Sequence, residues 1–213
     1  MKVVASPESW LCPAQWTGVV VLDGAVLATV PSAELVEPLQ AALLEHLGES
    51  DIDLARLRTT LPVLDVLGPA ALAYLDAEDF AAAHAGAEVE SLPAAHPDVC
   101  ALVTSVGDQD ADESGLEEIA SAAFVIRKDQ DVIAAAGYRP WLDTAAHLSV
   151  LTAPEYRGRG LARVVASAAV AEALANELLP QWRARPDSSR RVARALGFRE
   201  VGSQVSLQLG AFA

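Results

Sequence analysis

The chain has 213 residues and a mass of 22.3 kDa, 52% hydrophobic and 21% charged, which excludes a disordered polyelectrolyte and describes a soluble chain with enough apolar residues for a sizeable core. Its formal charge of −14 excludes non-specific nucleic-acid binding, because neutralising phosphates needs a positive surface. Cys12 and Cys100 are too few for a disulfide framework, and the four histidines at 46, 84, 96 and 147 show no ligand spacing, so no metal is expected. The opening Met1–Trp16 lacks the apolar run of a signal peptide, and the longest apolar region, Leu161–Leu179, is interrupted by Arg163, Glu172 and Glu177. A cytoplasmic protein with no membrane span is therefore expected. The charge is uneven: residues 1–126 hold three basic residues against 21 acids, whereas residues 127–213 hold twelve against eight. The second half can meet a small polyanion.

In chain order, Val19–Leu22 and Ala25–Val30 are β-like runs around Asp23-Gly24, which predicts a hairpin. Ser32 as N-cap and Gly48 as stop bracket a helix over 33–46. A second helix is predicted over 53–60, a strand over 71–75 after Gly68-Pro69, and a linker near residue 92 in the aperiodic stretch 81–97. From His96 the pattern changes. A helix over 97–106 leads to an acidic loop over 108–115 and a turn or helix over 116–119, then strands over 122–127 and 132–138 around a polar turn, and a third strand over 146–152. A long helix over 160–179, a short segment 181–185, a helix over about 188–196 and a final strand pair, 198–201 and 204–209, complete an α/β layout with mixed pairing.

Asp108-Gln109-Asp110-Ala111-Asp112 imitates the start of a calcium loop, but the position that wants Gly is Glu113 and the one that wants a bidentate Glu is Ile119, so the segment reads as a solvated acidic loop. The informative stretch is Pro154-Glu155-Tyr156-Arg157-Gly158-Arg159-Gly160-Leu161-Ala162-Arg163, which joins a strand to a helix. Its glycines let the backbone turn and approach a ligand, and the helix offers free N–H groups at the positive end of its dipole. Arg157 and Arg159 are unfavourable at a helix N-terminus and call for a compensating anion such as a pyrophosphate. A Walker loop would need Gly-Lys-Ser/Thr, and a dinucleotide fingerprint would need glycine where Arg163 stands, so neither nucleotide class fits.

The stretch resembles the GNAT superfamily of acetyl-CoA-dependent N-acetyltransferases. Arg157, Gly160 and Ala162 satisfy the superfamily's glycine-turn motif, and the strand His147–Thr152, the Pro154-Glu155-Tyr156 lead-in and the turn Ala195-Leu196-Gly197-Phe198 fall where it has them. The resemblance covers about residues 96–209. It implies a GNAT-like α/β fold with a mixed, largely antiparallel sheet flanked by helices over 96–213, preceded by an additional N-terminal α/β region over 1–95 of unassigned role.

For function, the resemblance implies acetyl-CoA as cosubstrate, its pyrophosphate on the N–H groups of Arg157, Gly158, Arg159, Gly160, Leu161 and Ala162, its pantetheine arm along Val150, Leu151 and Thr152, and Ser189 retained near it. An amine of a small molecule or peptide would attack the thioester directly, with a backbone N–H near Val150 or Leu151 stabilising the oxyanion. A homodimer is the other partner considered. Where many relatives carry a proton-donating Tyr this chain has Ala193, and where they often carry Asn it has Pro186-Asp187, leaving the general acid unassigned and a CoA-binding sensor as the alternative. His147 is the first candidate base, since imidazole titrates near working pH, ahead of Glu117, Glu118 and Tyr138. Trp141 and Trp182 are candidates to line an acceptor pocket.

Overall fold

The computed structural model describes residues 1–46, 54–83 and 88–211. In chain order it contains β1 (Lys2–Ala5), β2 (Thr17–Leu22), β3 (Ala25–Val30), α1 (Val36–His46), α2 (Leu54–Thr60), β4 (Val63–Tyr74), β5 (Glu90–Leu92), α3 (Pro97–Ser105) and α4 (Asp108–Ser114). These are followed by β6 (Ala123–Lys128), β7 (Asp131–Trp141), β8 (Ala145–Thr152), α5 (Leu161–Ala175), β9 (Leu179–Ala184), α6 (Asp187–Ala195) and β10 (Arg199–Leu209). The chain forms two compact units, Met1–Leu72 with Glu200–Ala213, and Ala73–Arg199. Their extents differ from 1–95 and 96–213 because the segment after Leu72 packs with the second unit and the last strand returns to the first.

In the first unit the strand order is β1-β3-β2-β10-β4, with β1 parallel to β3 and the β2–β3 and β2–β10 pairs antiparallel. The hairpin turns at Asp23 and Gly24, both at positive φ as a two-residue turn of matching twist needs. Helix α1 puts Leu39, Ala42 and Leu43 on one face at helical spacing, and they pack with Leu57 of α2 and with Val19, Val21, Val205 and Leu207 of the sheet. Ser32 makes no side-chain cap bond, and Ala33–Leu35 forms a 3-10 turn before α1. The expected stop at Gly48 and the expected helical start at Asp53 lie outside the described residues. Two strands differ from expectation. β4 begins at Val63 and runs through Gly68-Pro69, and the expected final pair is one continuous strand, β10. Gly202 reads locally as a turn residue, yet it sits opposite Leu22 where any Cβ would overlap the Val21 carbonyl. It is there for close backbone approach.

In the second unit the order is β9-β8-β7-β6-β5, largely antiparallel, with the end of β4 next to β9. One face carries α5, whose Val165, Ala166, Ala169, Val170 and Ala173 pack on Ala136, Leu148 and Trp182; small residues allow helix and sheet to close up. The other face carries α3, with Val99, Leu102 and Val103 against Val125, Ala135 and Leu151. Glu90–Leu92, expected as linker, pairs with Ala123–Val125, and Arg127 fastens it by reaching Glu90 at 3.0 Å and Asp98 at 2.6 Å. The acidic segment expected as a loop is helix α4. Carboxylates in its first turn suit the helix dipole, and Gly115 ends it in the left-handed conformation. Helix α5 ends at Ala175 rather than 179 because Asn176 caps it and Glu177 turns to positive φ, freeing Leu179–Ala184 to become β9. Leu116–Glu118 is a 3-10 turn.

Candidate functional site

β8 holds the site, because its two edges are treated differently. Along its whole length it pairs with β7, from Trp141↔Ala145 to Ala134↔Thr152. With β9 it pairs in parallel only at Ala145↔Leu179, Ala146↔Pro180 and His147↔Gln181. Beyond that point, among the described residues, Leu148–Thr152 has no partner strand on the β9 side, so its backbone groups there are open to an added chain. Within this stretch Leu151 is buried against the α3 layer, Val150 is half-buried on the α5 side, and Thr152 is buried with its Oγ1 unpartnered.

The open edge runs into the glycine turn. A 3-10 turn over Pro154–Tyr156 is followed by Arg157, by Gly158 at φ 76° and by Gly160 at φ 80°, after which α5 begins at Leu161. The left-handed region favours glycine at both places, and a Cβ at either would meet nothing within 4 Å. The turn therefore faces open space. Among the described residues, the backbone N–H groups of Gly158, Arg159, Gly160, Leu161 and Ala162 make no backbone hydrogen bond, and they sit at the positive end of a 15-residue helix. At the two ends of this segment, Thr152 Oγ1 and Arg163 Nε are buried without a hydrogen-bond partner. Arg157 and Arg159, expected to face an anion, have internal partners instead: Arg157 donates to the Thr152 carbonyl at 3.1 Å and to Asp110 at 2.8 Å, and Arg159 donates to the Glu155 carbonyl and lies over the Tyr156 ring. Arg157 thus holds the turn against the end of β8 and α4, and Arg159 braces the turn from within.

Residues 121–204 match the family model for GNAT acetyltransferases. They are a GNAT acetyltransferase domain. Among solved structures, a GNAT-family protein from Novosphingobium aromaticivorans is 26% identical over 71% of this chain and 67% of its own, with a TM-score of 0.55. A GCN5-related N-acetyltransferase from Kribbella flavida shares the fold at 17% identity, TM-score 0.57, over 91% of this chain and 90% of its own. A tandem GNAT protein from the clavulanic acid biosynthesis pathway shares it at 16% identity, TM-score 0.52, over 93% of this chain and 65% of its own. No curated protein matches the sequence significantly. The family supports acetyl transfer as the reaction class.

In the GNAT domain the other end of β8 carries His147. Its Nδ1 lies 2.8 Å from Gln181 Oε1, and Gln181 Nε2 donates at 2.7 Å to the Tyr74 hydroxyl. Because the Gln181 amide nitrogen is turned to Tyr74, its oxygen accepts from Nδ1–H, leaving His147 Nε2 as the free acceptor. Burial, and after it the positive charge of Arg183, lowers the His147 pKa to about 4, so the ring is neutral at neutral pH. The other candidates are engaged differently. Glu118 is paired with Arg139 at 2.7 Å; the buried Tyr138 hydroxyl accepts from Asn176 at 3.0 Å, with a pKa raised by burial; Glu117 is exposed. Trp141 is the neighbour of His147, at 6.4 Å between rings, whereas Trp182 is a core residue packed edge-on to Phe198. Ser189 accepts from the Trp182 indole at 3.0 Å and so ties α6 to β9. Ala193 is buried in the same core.

Sequence reasoning missed Asp110, Tyr74, Gln181 and Arg183. Asp110 lies in a helix whose alternating carboxylates also suit a loop, and the other three are brought to the His147 end of β8 only by strand pairing. No helix among the described residues is long and apolar enough to cross a membrane.

Proposed function

We propose that the protein is an N-acetyltransferase that moves an acetyl group from acetyl-CoA to a primary amine by direct attack, with residues 96–213 as the acetyltransferase segment. The observation that carries this reading is the unpaired edge of Leu148–Thr152 leading into a turn whose N–H groups face open space. That arrangement fits the cosubstrate: the N–H groups of Gly158–Ala162 would hold the pyrophosphate, and the backbone of Val150–Thr152 would pair with the amide-bearing arm. Bound there, the cosubstrate supplies an activated acetyl thioester.

The chain's part in the chemistry is to orient and to move protons. The acceptor enters as an ammonium ion and must lose one proton before its nitrogen can attack. The C–N bond forms as the C–S bond breaks, and the amine's second N–H proton is lost on forming the amide. The departing thiolate takes up one proton, so the net reaction releases one. His147 Nε2 is the acceptor for the amine proton; with a pKa of about 4 it is always free to accept but holds a proton only briefly, passing it on to solvent. A β8 backbone N–H near Val150 or Leu151 stabilises charge on the carbonyl oxygen. Proton return to sulfur has no side chain from α6, since Ala193 stands where a tyrosine would serve.

That absence favours a second reading, a CoA-binding sensor with little or no turnover. Calorimetric titration with acetyl-CoA, against adenosine diphosphate as phosphate control, tests both. Binding selective for the coenzyme is expected; no heat and no thermal stabilisation at millimolar coenzyme overturns both readings together. Release of free thiol across an amine panel then distinguishes enzyme from sensor.

A further inference from the structure

Around His147 the charges are arranged so that one cation is left over. β9 places Trp182 and Ala184 in the core with α5 and α6, so Gln181 and Arg183 point to the opposite face, where Arg185, just past the strand, pairs with Glu113. The His147–Gln181 hydrogen bond puts His147 on that face, and Arg139, directly across β7 from His147, shares it. Three guanidinium groups thus share the face with the candidate base, and two have carboxylates. Arg139 is paired with Glu118 of the turn after α4, and Arg185 with Glu113 of α4. Among the described residues Arg183 has no hydrogen-bond or ion-pair partner, and its side chain is accessible.

Its position is specific. Arg183 is the first residue on this face beyond the last β8–β9 pair, His147↔Gln181, and so stands where the two strands part. By strand rise it lies about 7 Å past His147 along the sheet, and Thr152, at the glycine turn, lies roughly 10 Å further on. It is therefore separate from the anion cradle of the turn. The guanidinium keeps access to solvent; its partial burial, and after it Arg185 close by, disfavour its charge, while Glu113 and Glu118 act on it only through space because each already holds another arginine. An unpaired cation in such a place is stabilised by a ligand that brings a negative charge.

We infer that the acceptor is an amine that also carries a carboxylate, and that Arg183 binds the carboxylate while the amino group is presented to His147. This rests on the transferase reading and names its substrate class. The acidity of the chain as a whole suggests a cationic acceptor; the charges at the site select the opposite.

The test compares matched pairs, L-alanine with L-alaninamide and L-glutamate with its diamide, as acceptors for the parent, Arg183→Gln and Arg183→Lys, following thiol release. Dividing the acid-to-amide ratio of kcat/KM in the parent by that in a variant cancels the intrinsic reactivities of the amines. A charge-assisted pair predicts that Arg183→Gln lowers the ratio by about 10- to 100-fold and that Arg183→Lys restores part of it. An unchanged ratio in Arg183→Gln overturns the inference even though the transferase reading stands. If no amine is acetylated, the transferase reading fails, and calorimetric binding of the same pairs decides: carboxylate-dependent binding lost in Arg183→Gln upholds the anion site, and its absence overturns it.

Discussion

The two ends of β8 are built on different principles. The Thr152 end is local: Thr152, Arg157, Gly158, Gly160 and Arg163 span twelve residues, and among the described residues Asp110 reaches it from α4 and Lys128 from β6, over the Tyr156 ring. The His147 end draws Tyr74, Glu118, Arg139, and the β9 residues Gln181 and Arg183 from four separate segments. Holding an anion needs a backbone shape, which a short motif can specify. Setting the tautomer and charge environment of one imidazole needs side chains that only tertiary pairing brings together. The first end is accordingly the one on which a single residue decides binding, and the second the one on which effects are graded.

The largest expected effect breaks the local end. Gly160→Asp keeps a residue tolerated at positive φ but directs a carboxylate into the open space where the pyrophosphate would lie under the proposed function. Two like charges at about 4 Å cost roughly 4 kcal/mol at an effective dielectric of 20, so acetyl-CoA affinity should fall by two to three orders of magnitude, by calorimetry, with circular dichroism unchanged. A parent-like Kd in a folded variant would move the site elsewhere.

His147→Gln is the corresponding change at the other end. Loss of a proton acceptor predicts a fall in kcat of about 100-fold with acetyl-CoA affinity retained, and equal activity would remove His147 from the mechanism. The same variant carries a stability signature. The unfolded chain takes up this proton near pH 6.5 and the folded protein only near 4, so in that window the unfolded state binds more protons and stability falls as pH falls. Thermal melts from pH 7 to 4 should lose part of their slope in the variant. For the parent, the acid limb of kcat/KM attributable to His147 should lie near pH 4 and not near 6.5.

This contrast also explains what was legible in the sequence. The hairpin at Asp23-Gly24, the order of elements after His96, and the whole glycine turn are local statements, and the turn's signal was strong because its glycines answer a backbone requirement. Gly202 misled for the same reason: read locally it ends a strand, and only its place opposite Leu22 shows that it belongs inside one. Asp108–Ser114 was misread because alternating carboxylates suit a solvated loop as well as the first turn of a helix. The internal partners of Arg157 and Arg159 are not legible either, since charge in a sequence says nothing about which carbonyl or carboxylate satisfies it. Nothing near residue 74 hints at a bond to residue 181, because that contact exists only once the end of β4 lies beside β9.

A smaller effect is expected where the local end borrows from outside. Arg157→Ala removes a bond to the Thr152 carbonyl and a half-exposed pair with Asp110. The exposed pair is worth about 0–1 kcal/mol and the bond from a charged donor somewhat more, so acetyl-CoA binding should weaken by about 10-fold as the turn loosens. Asp110→Asn should cost only a few-fold. If Asp110→Asn were as damaging as Arg157→Ala, α4 and not the motif would be organising the turn.

The smallest functional effect belongs to Tyr74, a positioning residue two contacts from the chemistry. Tyr74→Phe leaves the ring but removes the hydroxyl that accepts from the Gln181 amide, and Gln181 is 4% exposed. With its Nε2 unsatisfied, Gln181 is free to rotate and offer nitrogen instead of oxygen to His147, which would move the ring proton from Nδ1 to Nε2 and cover the acceptor atom. Since only part of the population need rotate, kcat should fall by about threefold with KM for acetyl-CoA unchanged. A structural role alone would lower the melting temperature and leave the imidazole as it was. Nitrogen-15 chemical shifts of the His147 ring separate the two: a shift from the Nδ1–H toward the Nε2–H tautomer in Tyr74→Phe supports the relay, and an unchanged tautomer with reduced stability assigns Tyr74 to packing.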